Sequence, residues 1–132
     1  MADATAVELA RFEAGDIDPA TFPHHDHVRL AFEMLGRHRF TEAAARFALG
    51  LRRMSQRAGK PQAYHETVTV AFLAVIAERM ATGRYSDFMA FETANPQLLD
   101  KSLLNKWYDP EVLNSPVARN TFILPRPRGN GA

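Results

Sequence analysis

The 132-residue sequence contains no cysteine. This absence excludes disulfides, thiolate nucleophiles, iron–sulfur clusters and Cys-type zinc sites, so a metal ion would need nitrogen or oxygen ligands. The sequence also lacks a glycine-rich phosphate loop, a dinucleotide fingerprint and a G-x-S-x-G nucleophile elbow. No nucleotide cofactor is therefore indicated.

Long apolar runs are missing as well. No segment approaches the roughly 20 apolar residues that cross a bilayer, and the N-terminus has no basic stretch before an apolar core. We therefore expect a cytoplasmic protein of bacterial type that has no membrane contact. Its oligomeric state is not indicated by the sequence.

The excess of one charge is small, because the net charge is only +1. This value argues against nucleic acid as a partner. However, an acidic region at 1–35 precedes a basic region at 36–60. We expect the two regions to pair with each other, and the alternative is that the basic helix binds a phosphate, an anionic ligand or RNA.

Helical periodicity dominates the sequence, which has no alternating strand pattern and no hairpin dipeptide between apolar runs. We predict an all-α, single-domain irregular helical bundle over 1–124, followed by a flexible tail at 125–132. About four core helices precede short C-terminal helices. The predicted helices cover 4–14, 24–37, a segment capped by Thr41, 63–81, a segment capped by Ser86, a segment opened by Pro96, and a last turn after Asp109-Pro110.

Four of the five histidines fall in two short segments, which makes these segments the first candidates for a site. His24 and His27 are three positions apart at the start of a helix, where their rings can converge on one ion. The positive end of the helix dipole favours the neutral imidazole that binds metal. Asp26 could orient a ligand histidine or bind the free amides of the first turn.

The second segment is Tyr64-His65-Glu66-Thr67. His65, on a facing helix, would complete the three-ligand arrangement of catalytic zinc sites. Glu66 could be a fourth ligand or a general base, or it could stabilise the helix dipole. Successive helix positions diverge by about 100°, so His65 and Glu66 need not face one ion. Tyr64 could donate to a ligand or an oxyanion, or simply pack its ring.

Two arginines lie on the helices that carry these segments. Arg29 and Arg79 could bind the carboxylate or phosphate of a substrate. Pairing with Glu33 or Glu78 is the alternative.

The sequence resembles an uncharacterised family of short bacterial all-helical proteins. The resemblance rests on three segments: 22–29 with its F-x-H-x-D-H-V-R pattern, Tyr64-His65-Glu66-Thr67, and Phe122-Ile123-Leu124-Pro125. It implies a shared site at the positions of His24, His27, Tyr64, His65 and Glu66, and it implies no named activity.

Three functions remain open at this point. The first is a small metal-dependent enzyme, a hydrolase, lyase or oxygenase, with His24, His27 and His65 as ligands of zinc, iron or copper and a small molecule as substrate. The second is a metal-free enzyme in which His65 or His27 is the general base. The third is a noncatalytic helical binding module, in which the histidines serve structure.

Overall fold

Residues 3–100 and 102–125 are described in a computed structural model. This part of the chain forms seven α-helices and no strand, which confirms the all-α prediction. The helices are α1 (Ala4–Glu13), α2 (His24–Arg37), α3 (Phe40–Arg57), α4 (Glu66–Thr82), α5 (Phe88–Ala94), α6 (Pro110–Leu113) and α7 (Pro116–Asn120). Four 3₁₀ turns connect them, at Pro19–Thr21, Pro61–Ala63, Pro96–Leu99 and Leu103–Lys106.

Several helix boundaries differ from the prediction for local reasons. Arg39, not Thr41, occupies the N-cap position of α3. Asp87, not Ser86, caps α5 through its side chain. The helix predicted from Pro96 is instead two separate 3₁₀ turns. Tight turns of this kind share the leucine spacing of an α-helix, so periodicity alone does not separate them.

The central core lies between α2, α3 and α4, with α1 packed on α3. Its largest fully buried side chains come from five separate segments: Phe12, Val28, Leu30, Met34, Leu73, Ile76, Phe91 and Leu98. Phe72 and Trp107 connect this core to a smaller cluster around Ala71, Leu104 and Tyr108. The short C-terminal segments therefore extend the core of the long helices.

Gly50 lies where α1 crosses α3 at close range. A Cβ atom at this position would stand 2.6 Å from the Phe12 ring and 2.8 Å from the Phe12 carbonyl oxygen. A glycine thus lets the two helices meet at the backbone, at a cost of about 1 kcal/mol in helix propensity relative to alanine.

Charge pairs join the acidic and basic regions, as the sequence predicts. Arg46 binds Glu13 and Glu42 at 2.9 and 3.0 Å. Arg37 binds Asp3 at 2.6 Å, and Arg57 binds Asp16. Much of the basic charge is therefore neutralised within the molecule.

A C-terminal strap, defined here as residues 121–125, returns across α4. The fully buried hydroxyl of Thr67 donates to the Thr121 carbonyl at 2.7 Å and accepts from the Ile123 amide at 3.1 Å. Tyr108 donates to the Ile123 carbonyl at 2.9 Å. The strap is thus bound through its backbone. Nearly all of the predicted flexible tail, residues 126–132, lies outside the described residues.

Within the described residues, no helix combines the length and apolar character needed to cross a membrane.

Candidate functional site

A pocket of about 320 Å³ opens between α2, α3 and the start of α4, and we call it the histidine pocket. It brings together three residues selected from the sequence, His27, Tyr64 and His65. The other residues that line it are Pro19, Phe22, Leu51, Met54, Ser55, Ala58, Lys60, Ala63, Val68 and Thr69. An apolar wall with a few convergent polar groups is typical of small-molecule sites.

His65 does not lie within the fourth helix, where the sequence predicted it, but caps that helix. Its Nδ1 atom accepts a hydrogen bond from the Val68 amide at 3.1 Å. Because Nδ1 accepts, Nε2 carries the proton and donates to the Leu113 carbonyl at 2.6 Å. Both ring nitrogens are therefore engaged with backbone, and the imidazole is held in one tautomer and one orientation.

His27 lines the pocket from the first turn of α2, where it is half-buried. Its ring lies against Phe22, with centroids 4.3 Å apart. This packing limits the rotation of the ring and holds the imidazole at the wall of the pocket.

His24 and His27 lie one helical turn apart, and their ring centroids are 6.3 Å from each other. Their rings nevertheless contact different parts of the molecule. The Nε2 atom of His24 lies 3.0 Å from the Leu98 carbonyl, and its ring meets Phe72 edge-on at 5.1 Å. His24 therefore ties α2 to the turn at Pro96–Leu99, and it is absent from the residues lining the histidine pocket.

The predicted metal set of His24, His27 and His65 does not form a ready-made cluster. Over residues 3–100 and 102–125, no group of three or more histidine, aspartate or glutamate side chains is placed to hold a metal ion. For His65 to ligate a metal, it would have to release either the Val68 amide or the Leu113 carbonyl. Metal binding by these residues stays a prediction.

Tyr64 and Glu66 form a short hydrogen bond beside the pocket. The Tyr64 hydroxyl donates to Glu66 Oε1 at 2.5 Å. Burial, and then the hydrogen bond and negative charge of Glu66, raise the pKa of Tyr64 well above its usual value of 10.0. Tyr64 therefore presents a neutral hydroxyl to the pocket, where its oxygen can accept a hydrogen bond but the residue cannot serve as a base near neutral pH.

Asp26 faces away from the histidine pocket, although it lies next to His27 in sequence. Its carboxylate is 3.5 Å from His25 Nδ1 and 3.8 Å from Arg29 Nε. His25 is exposed and lies 2.6 Å from Glu92. The role of Asp26 in orienting a histidine stays a prediction.

The two predicted substrate-binding arginines are engaged within the protein. Arg29 makes two hydrogen bonds to the Glu8 carboxylate at 2.7 and 2.5 Å. Arg79 donates to Asn95 Oδ1 at 3.0 Å. Neither lines the histidine pocket. The predicted alternative of ion pairing is thus right for Arg29, although its partner comes from α1 rather than from Glu33 of its own helix.

The sequence interpretation missed the contribution of α3 to the pocket. Leu51, Met54, Ser55 and Ala58 lie on one face of that helix, at three- and four-residue spacing. Apolar residues at this spacing predict a helix face that is buried in the core, and Ser55 is the one polar residue among these four positions. Lys60, in the turn after α3, adds a cation at the edge, and no carboxylate of the described residues lies within 4.0 Å of its ammonium group.

Comparisons of the chain with protein-family models, with curated proteins and with solved structures found no match.

Proposed function

We propose that this protein binds a small, mainly apolar molecule in the histidine pocket and that His27 acts on it as a metal-independent general acid or base. The observation that carries the proposal is the meeting of His27 with Tyr64 and His65 in one pocket. His27 is some 40 positions from Tyr64 and His65 in the sequence, and the intervening helix α3 contributes to the apolar wall of the pocket.

The polar groups of the pocket divide the work between them. His65 makes two backbone hydrogen bonds and shapes the wall of the pocket. Tyr64 keeps its proton and offers an acceptor oxygen. His27 lines the same pocket from α2, and imidazole is a side chain that commonly acts as a general acid or base.

The ester 4-nitrophenyl butyrate is a suitable probe, because it is apolar, small, and hydrolysed by general-base attack of water. We expect saturable release of nitrophenolate that His27→Gln reduces by about 100-fold, the usual contribution of a general base. His25→Gln is the matched control, since His25 is two positions before His27 in the sequence but is not among the residues that line the pocket.

Unchanged hydrolysis by His27→Gln would contradict the catalytic role of His27. Binding is measured separately, by the shift of the His27 Cε1–H nuclear magnetic resonance signal when butyrate anilide, an unreactive analogue, is added. A shift with no catalysis would leave the protein as a binding module. The absence of a shift would contradict the proposal that the histidine pocket binds a small apolar molecule.

The metal-dependent enzyme makes a different prediction in the same assay. It requires that zinc, iron or copper bind to His24, His27 and His65, so hydrolysis would be lost in a chelator and restored by one of the three ions. It also predicts near-stoichiometric metal by elemental analysis, lost in a folded His24→Ala/His65→Ala variant. Activity that persists in chelator supports the metal-independent reaction.

A further inference from the structure

A second pocket lies on the other exposed face of α4, beneath the C-terminal strap. It encloses about 310 Å³, and we call it the tryptophan groove. Its floor is the surface of Ala71, Ala74 and Val75, and its sides are Trp107 and Phe122. It shares no lining residue with the histidine pocket.

The groove is held open by the backbone contacts of the strap. Thr67 fixes both Thr121 and Ile123, and Tyr108 fixes Ile123 again. The Phe122 side chain between these two fixed points remains 40% exposed and forms one side of the groove. Its aromatic wall is therefore preorganised.

One charged residue, Glu78, is among the described residues that line the groove. It is exposed, and no arginine, lysine or histidine nitrogen of the described residues lies within 4.0 Å of its carboxylate. Arg79, its neighbour in sequence, is directed instead to Asn95. An apolar site with aromatic walls and a single unpaired carboxylate matches an apolar cation, because the ring faces and the carboxylate both attract positive charge.

We propose that the tryptophan groove binds a small organic cation in which an ammonium group is attached to an apolar or aromatic body. The body lies between Trp107 and Phe122, and the ammonium group lies toward Glu78. This site is independent of the histidine pocket and of the chemistry proposed there.

The fluorescence of Trp107 reports on this groove directly, since it is the one tryptophan of the chain. Three probes of equal shape, phenethylammonium, 2-phenylethanol and 3-phenylpropionate, are titrated into the full chain. We expect the ammonium to bind about fivefold more tightly than the alcohol, as cation–π and exposed ion-pair contacts allow. The carboxylate probe should bind most weakly.

Two variants test the assignment of these effects to the groove. Glu78→Gln should reduce the preference for the ammonium over the alcohol, leaving only the part that the ring faces supply. Ala74→Leu places a larger side chain on the groove floor and should weaken all the probes, whereas Ala81→Leu on the exposed end of α4 should not. His27→Gln should leave ammonium binding unchanged, which separates this site from the histidine pocket.

Equal affinity for ammonium and alcohol in the unmodified protein would overturn the proposal, as would a preference that Glu78→Gln leaves undiminished. A Trp107 signal that none of the three probes changes would overturn it too.

Discussion

The two imidazoles of the histidine pocket, His65 and His27, differ in what holds them. His65 binds backbone through both ring nitrogens, one to its own helix and one to Leu113, 48 residues away. His27 is positioned by ring packing on Phe22. The first is therefore part of the framework, while the second is held at the pocket wall through the face of its ring. Residue type and proximity do not make two histidines equivalent.

The same contrast extends to the carboxylates and arginines near each histidine. Glu66 is engaged by Tyr64, and Glu8 by Arg29. Tyr64, Glu66 and Arg29 are groups that the sequence alone presents as candidates for chemistry. Changes at these positions should therefore affect stability first, and the following predictions test that expectation from the largest effect to the smallest.

Replacing His65 should cost the most stability. His65→Ala removes the cap of α4 and the bond to Leu113, and we expect a loss of about 2 kcal/mol in the free energy of unfolding. His65→Asn keeps a capping oxygen but cannot reach Leu113, so it should recover about half of the loss. Urea denaturation measures both. A loss in His65→Ala no larger than that in His25→Ala would show that the two bonds are not structural.

Tyr64→Phe should cost about 1 kcal/mol at pH 7, because it removes a hydrogen bond to a charged carboxylate. The pKa of Tyr64 is raised in the folded state, so its contribution is complete below the unfolded pKa near 10.0 and is lost as the pH rises above it. The advantage of the unmodified protein over Tyr64→Phe should therefore shrink between pH 9 and pH 11.

Urea midpoints of both proteins across that pH range measure the effect. Glu66→Gln provides the control, since removing the negative charge should lower the pKa of Tyr64 and make the alkaline loss less steep. A constant difference between the unmodified protein and Tyr64→Phe at all pH values would contradict the contact.

The Arg29–Glu8 pair should contribute less, because 37% of the Glu8 side chain is exposed. We expect Glu8→Gln to cost about 0.5 kcal/mol at pH 7. The hydrogen bond from Arg29 lowers the pKa of Glu8, so this contribution is present above the ordinary value of 4.5 and is lost as the pH falls through the lowered folded value.

A double-mutant cycle with Arg29→Gln isolates the interaction between the two side chains. Coupling that persists at pH 2 would contradict an ion pair.

His27→Gln should change stability least, by less than about 0.5 kcal/mol, because glutamine retains polar atoms at a half-buried position. The same variant should lose hydrolysis by about 100-fold. Denaturation and hydrolysis assays on a single preparation therefore compare the two histidines directly. A stability loss as large as that of His65→Ala would make His27 a framework residue as well.

Sequence periodicity was sufficient for α2, whose predicted and observed limits agree at His24 and Arg37. It failed at the start of α4, where His65 caps the helix through the Val68 amide and is anchored by the Leu113 carbonyl of a distant segment. Periodicity records which residues share a face, but it carries no information on contacts between distant segments.

The candidate site was predictable only in part for the same reason. His27, Tyr64 and His65 were selected, and they do share a pocket. The apolar contribution of α3 was hidden, since pocket walls and core faces have the same hydrophobic spacing. His24 was included because it is one turn from His27, yet its ring nitrogen meets the Leu98 carbonyl on a segment that the helical pattern of α2 cannot indicate.

The bond between His65 and Leu113 also bears on the order in which this chain folds. The N-terminal 60 residues supply α1, α2, α3 and most of the apolar wall, but the imidazole at 65 reaches its final orientation only when residue 113 arrives. Closing that long loop delays the contact relative to local helix formation. During synthesis, the framework of the pocket would be complete only after residue 113 has left the ribosome.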